Sequence, residues 1–204
     1  MTGIRNIVFD IGNVVVRWNP ALIAERAFGT ERGTADYAAQ IFGGALWKAI
    51  NRGEYSEVEA KLAYRRDHGL TTEEAEDLFF HIKESLELLP DTAELMVRLS
   101  ANGYRLFALT DNVHEIVAYL QQRYDFWDHF EGATVSAEIG LLKPSPEIYR
   151  HLLDSNGLEA EETLFLDDVP ANAKGARDAG MHAMVFTTAD QAVADMRALG
   201  IATE

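Results

Sequence analysis

Cysteine is missing from all 204 residues, which excludes thiolate nucleophiles, zinc–thiolate centres and disulfide bridges. Cationic side chains are few: 18 Lys and Arg against 33 Asp and Glu leave a formal charge of −15. Such a surface repels polyanions, so no nucleic-acid partner and no anionic membrane surface is expected. Long apolar runs are missing too. No window of 18 residues is apolar enough to span a membrane, and the opening MTGIRNIVFD has no signal-peptide core. These absences point to a soluble cytoplasmic protein; a monomer or weak homodimer is the accompanying expectation. Proline, five in all, marks only local boundaries, and the six histidines show no metal-ligand spacing.

What is present suffices for one substantial core, or a core plus a small accessory domain, since 48% of the residues are hydrophobic. Five segments combine β-branched or aromatic residues with turn or helix-start signals at their C-terminal ends: residues 4–10, 104–110, 132–136, 163–168 and 182–187. Helical patterns separate the later ones. Asp91 with Glu94, and Asn112 with Glu115, have capping-box spacing, and Gly103 is a helix stop. This alternation predicts an α/β fold, a Rossmann-like parallel sheet with helices on both faces. Residues 17–88 break the pattern with helical stretches only, one opened by Thr71 and Glu74. The predicted organisation is a core of residues 1–16 and 89–204 with a helical cap, 17–88, inserted after the first strand.

Polar clusters fall at or just after predicted strand ends: Asp10; Thr110, Asp111 and Asn112; Lys143; and Asp167 and Asp168 with Asn172. One such cluster is ordinarily a helix cap, but four on one sheet edge converge where α/β sheets bind ligands. A strand-end carboxylate such as Asp10 can attack phosphorus, and magnesium takes carboxylate and carbonyl oxygens. Lysine between two negative partners lets them approach. Thr110 offers a hydroxyl, and the backbone N–H groups of Asp111 and Asn112 offer anion contacts at a helix start. For Asn112 a capping role stays equally open.

The chain resembles the haloacid dehalogenase-like hydrolase superfamily. FDIGNVVV is similar to its first motif, LTDN to the second, the lysine of GLLKPSPEIY to the third and FLDDVPANAKGARDAGM to the fourth, which is the most specific. The pattern is that of capped phosphatase-type members, and the first motif and NRGEYS are closest to proteins resembling α-glucose-1-phosphate phosphatases. The resemblance implies a magnesium-dependent phosphatase acting on a small phosphorylated metabolite, with a sugar phosphate as a candidate, through an aspartyl-phosphate on Asp10. It implies Asp10, the Gly12 carbonyl and Asp168 as ligands of Mg2+, with Asp167 bound directly or in support, Lys143 as the catalytic cation and Asn172 ordering the loop. Arg52, on the cap turn, is the candidate second substrate contact, while the plain reading leaves it solvated and Trp47 in the cap core. Gly12 departs from the phosphatase pattern, which has there a second aspartate that protonates the leaving oxygen, a service worth about 10²–10⁴ in rate. A 2-haloacid dehalogenase, whose halide leaves without a proton, and a non-catalytic phosphoryl-ligand binder are the alternatives.

Overall fold

The computed structural model describes residues 3–204. Five parallel strands form one sheet: β1 (Asn6–Phe9), β2 (Arg105–Thr110), β3 (Gly132–Val135), β4 (Thr163–Asp167) and β5 (His182–Val185), in the order β3-β2-β1-β4-β5. Their side chains alternate between two apolar layers, as the period-two pleat requires. Ile7, Phe9, Leu106, Ala108, Leu164 and Leu166 enter one cluster, and Val8, Phe107, Leu109 and Phe165 the other. Burial on both faces is why these strands read as unbroken hydrophobic runs rather than alternating ones.

Helices fill both layers. Between β1 and β2 come α1 (Pro20–Arg32), α2 (Ala35–Gly43), α3 (Ala45–Asn51), α4 (Glu57–His68), α5 (Thr72–Glu84) and α6 (Pro90–Ala101). After β2 follow α7 (His114–Arg123), the one-turn α8 (Ser136–Ile139), α9 (Pro146–Asn156), α10 (Pro170–Asp178) and α11 (Ala189–Ala198). Thr71 and Glu74 make the expected capping box, and Ser56 with Glu59 makes another. Two expected boxes do not form. Helix α6 starts on Pro90, whose fixed φ and missing N–H suit the first position, so Leu89 is the cap residue and Asp91 lies in the first turn. Helix α7 begins after Val113, and Glu115 instead accepts the Glu57 N–H of α4 at 3.0 Å.

The helical insertion leaves and rejoins the sheet at one place. Val16 bridges Leu88 in antiparallel fashion, Arg17 N–H donates to Glu87 O at 2.7 Å, and Leu89 N–H donates to Val15 O at 2.8 Å. Its apolar face is continuous with the sheet, because Ile41, Tyr64 and Leu78 belong to the cluster that contains Phe9. Among the described residues no helix is long and apolar enough to cross a membrane.

Candidate active site

Sheet order decides which strand ends meet. The chain runs from β1 outward through β2 to β3, then returns to β1's other side with β4, so β1 sits at the switch point where the order reverses. Phe9 is in register with Ala108 on one side and Leu166 on the other. Asp10, one residue past β1, is anchored by its own N–H to Leu166 O at 2.9 Å. Thr110 and Asp167 are the last residues of the two flanking strands.

Lys143 joins these ends although it lies on no strand. Its ammonium is 2.8 Å from Asp10 Oδ1 and 2.7 Å from Asp167 Oδ2, and it donates to Leu109 O at 3.4 Å. Its backbone N–H donates to Asp111 Oδ1 at 3.1 Å, which fixes where the side chain starts. Asp167 is fully buried and has both oxygens engaged. Oδ1 accepts from Val169 N–H at 2.8 Å and Asn172 Nδ2 at 3.0 Å, while Oδ2 accepts from Lys143 and, at 3.1 Å, from the same Asn172 amide. Asn172 is held in turn by Tyr149, whose hydroxyl donates to its carbonyl at 2.8 Å.

Asp10, Asp167 and Asp168 each offer a carboxylate oxygen lying within 4.8 Å of the others. With Asp111, four carboxylates face one ammonium. Burial pushes the Asp10 carboxyl up to about 7, with Asp167 adding to the rise and Lys143 opposing it. Burial also raises Asp111 and Asp168. Burial by itself would depress the Lys143 ammonium, but Asp10, Asp167 and Asp111 together drive it well above the ordinary lysine range. The cluster is therefore short of positive charge, and its oxygen-only donor set fits a hard divalent cation such as magnesium. Asp10 and Asp168, with Gly12 on the cavity wall beside them, are the residues with capacity for it.

Asp10 of this cluster lies on the wall of a cavity of about 340 Å³, while Asp167 is buried behind that wall. Thr110, Asp111, Asn112, Lys143, Asp168 and Asn172 also line it. Arg52 is not on the wall: its guanidinium pairs with Glu54 at 2.6 Å, and helix α3 presents Trp47, Lys48 and Asn51 there instead. The Asn112 N–H is also not free for an anion, because it donates to Ser136 Oγ at 2.8 Å. That hydroxyl donates onward to Asn51 O of the insertion at 2.6 Å. Asn112 Oδ1 accepts from Val113 N–H at 3.0 Å rather than capping α7.

Sequence reasoning missed Asn13 and Ser136. Asn13 has φ of 55°, a left-handed conformation that asparagine tolerates, and this turns its amide toward the acids. Its Nδ2 donates to Asp168 Oδ2 at 3.0 Å, and its Oδ1 accepts from Trp18 N–H at 2.9 Å. An asparagine directly after Gly12 was the available signal. For Ser136 the signal was its place at the end of the third strand. Ser136→Ala is expected to strand Asn51 O and Asn112 N–H in a buried setting, lowering stability by about 1–3 kcal/mol. Thermal denaturation checks this.

A model of the haloacid dehalogenase-like hydrolase family matches residues 4–180, most of the chain and all of the clusters above. The chain belongs to the haloacid dehalogenase-like hydrolase family. This hydrolase is 25% identical over 198 residues to the sesquiterpene phosphatase astK of Aspergillus oryzae, covering 97% of both chains. Its fold superposes with a TM-score of 0.77 on a family enzyme of Bacteroides thetaiotaomicron solved in complex with magnesium and inorganic phosphate, at 20% identity over 91% of this chain and 95% of that one. The L-2-haloacid dehalogenase of Xanthobacter autotrophicus shares the fold with a TM-score of 0.66, at 19% identity over 88% of this chain and 76% of that one. The fold by itself thus does not separate the two chemistries.

Proposed function

We propose that this hydrolase is a magnesium-dependent phosphomonoesterase working through an aspartyl-phosphate on Asp10, with residues 17–88 as a cap over the site. The observation that carries this reading is the acid cluster: Asp10, Asp167 and Asp168 within 4.8 Å of one another, with Lys143 paired to Asp10 and Asp167. Such a cluster repels an anionic haloacid unless a divalent ion is present, whereas a phosphate ester brings oxygens that share the ion. The full-length similarity to a phosphatase supports the same side.

In this mechanism an Asp10 oxygen forms a bond to phosphorus as the phosphorus–ester oxygen bond breaks, and the departing oxygen leaves as the alcohol with a proton taken from water. Water then attacks the aspartyl-phosphate, releasing inorganic phosphate and restoring the carboxylate. Magnesium held by Asp10, Asp168 and the Gly12 carbonyl would supply charge neutralisation on the phosphoryl oxygens. Lys143 neutralises Asp10 and the incoming phosphate so that two anions can approach. Asp167, with both oxygens occupied, acts in support by aiming Lys143 and Asn172. The Thr110 hydroxyl is the proposed phosphate contact from β2. Asn13 orients Asp168, and Asn172 holds the metal loop through Asp167.

A panel of phosphomonoesters assayed with and without Mg2+, with Asp10→Asn as blank, tests the reading. Magnesium-dependent phosphate release that chelator abolishes is expected, whereas dechlorination of 2-chloropropionate in excess chelator would replace it with the dehalogenase. In the absence of substrate, magnesium at 100 times its Kd is expected to stabilise the fold by about 2.7 kcal/mol, read as a rise in Tm.

Gly12 bears on the leaving group. A Cβ built there meets only Trp18 Cβ, at 3.7 Å, so the backbone accepts a side chain. Gly12→Asp is expected to raise kcat by up to about 10²-fold on alkyl phosphates, which need a proton on the departing oxygen, and little on p-nitrophenyl phosphate. Equal gains across a leaving-group series count against it.

A further inference from the structure

Beyond the phosphoryl end, the cavity wall is apolar. Trp18 and Trp47 stack with ring centroids 5.8 Å apart and planes at 8°, and Phe42 packs edge-on to both at 5.3 and 5.2 Å. Val16, Leu86 and Ile116 extend this surface. The wall starts at the catalytic loop itself, since Trp18 is tied by its N–H to Asn13, which holds Asp168. Polar groups on this side are few and largely engaged. Asn51 donates its amide to Trp47 O at 2.9 Å and Asn112 Oδ1 is taken by Val113, while Lys48, though solvent-exposed, also lines the wall. A polyol seated here would leave hydroxyls unpaired against rings, at roughly tenfold or more in affinity for each.

The same three aromatic residues also line a second cavity, about 440 Å³, whose other walls include Pro20, Ala21, Ala35 and Ala38. Among the described residues the one polar side chain on it is Asn19, whose Oδ1 caps α1 by accepting from Leu22 N–H. The aromatic wall of the first cavity is thus also a wall of the second.

We propose that Trp18, Phe42 and Trp47 select a phosphomonoester whose alcohol portion is apolar. This rests on the phosphomonoesterase reading and narrows it: a hydrocarbon alcohol, not a sugar, is esterified to the phosphate. Each methylene that leaves water against these rings is worth about fourfold in binding.

The test is kcat/KM for ethyl, butyl, hexyl and octyl phosphate beside glucose 6-phosphate, at saturating Mg2+. Hexyl phosphate is expected to exceed ethyl phosphate by about two orders of magnitude, following that increment, and to exceed glucose 6-phosphate. Trp47→Ala is expected to reduce the slope against chain length, with a larger loss on octyl than on ethyl phosphate. A flat series with measurable hydrolysis, or a preference for glucose 6-phosphate, overturns the proposal while leaving the phosphomonoesterase intact. A binding arm stands apart from turnover. Quenching of tryptophan fluorescence by ethyl- and octylphosphonate gives their Kd values, and octylphosphonate is expected to bind at least tenfold more tightly. Equal affinities overturn the inference even if no ester is hydrolysed, and tighter octylphosphonate binding without hydrolysis upholds the apolar site while removing the phosphatase reading.

Discussion

Asp10→Asn is expected to lower kcat by about 10⁴- to 10⁶-fold, the scale on which enzymes lose rate when a nucleophile is removed. The substitution keeps the shape of the side chain and its acceptor for the Ile11 N–H, which the wild-type carboxylate accepts at 2.7 Å. What it removes is nucleophilicity and one negative charge. Because burial and Asp167 already disfavour the Asp10 anion, loss of that charge relieves the fold rather than harming it. Thermal stability of metal-free Asp10→Asn is therefore expected to equal or exceed that of the wild type, the opposite of the effect on rate. This separation is the signature of a group kept for chemistry at the expense of stability. Rapid acid quench of wild-type enzyme with labelled substrate is expected to trap label on protein, and Asp10→Asn is expected to trap none. Wild-type turnover without any trapped label, or activity persisting in the variant, would remove Asp10 as nucleophile.

Lys143→Met is expected to lose rate and stability together. The ammonium is nearly inaccessible, with its side chain 2% exposed, and touches both Asp10 and Asp167. Removing one partner of a buried ionic network leaves the others uncompensated, at about 3–5 kcal/mol. For a chain of this size each kcal/mol is worth about 2–4 °C, so Tm is expected to fall by roughly 10 °C. The deficit should depend on pH in a definite direction. Folded Asp10 takes up its proton near 7, against 3.8 for the ordinary value. The folded state thus binds more protons between those limits, so this group adds stability as pH falls from above 7 toward 4. Without Lys143 that gain grows, and the gap between variant and wild type should narrow on acidification in the presence of chelator. Melting curves from pH 8 to pH 5 measure it. A gap that widens toward low pH would mean that Lys143 is not the counter-ion of these acids.

Much of the site could be read in the chain itself, for an identifiable reason. Asp10, Thr110 and Asp167 each end an apolar run, and a parallel sheet carries every such end to one edge. Lys143 and Asp168 stood among the polar clusters at or after strand ends and took their roles from motif likeness, and the structure places both on the same cavity. Local signals failed where a distant partner outcompeted them. Asn112 and Glu115 have capping-box spacing, yet Ser136 holds the Asn112 N–H and Glu115 caps Glu57 of α4. Arg52 fails for a local reason instead, since Glu54, two residues on, claims its guanidinium.

The sequence by itself determined the strand pattern, the acids at the strand ends and the helical insertion, because each depends on residues near one another in the chain. Tertiary structure alone decided that Asn13 reaches Asp168 across 155 positions, that Ser136 ties the insertion to the second strand's end, and that Trp18, Phe42 and Trp47 form one wall. Those contacts arise from packing between elements far apart in sequence or set by how the insertion folds back, which no local periodicity encodes. The acid cluster was therefore visible before the fold, and the aromatic wall beside it only after it.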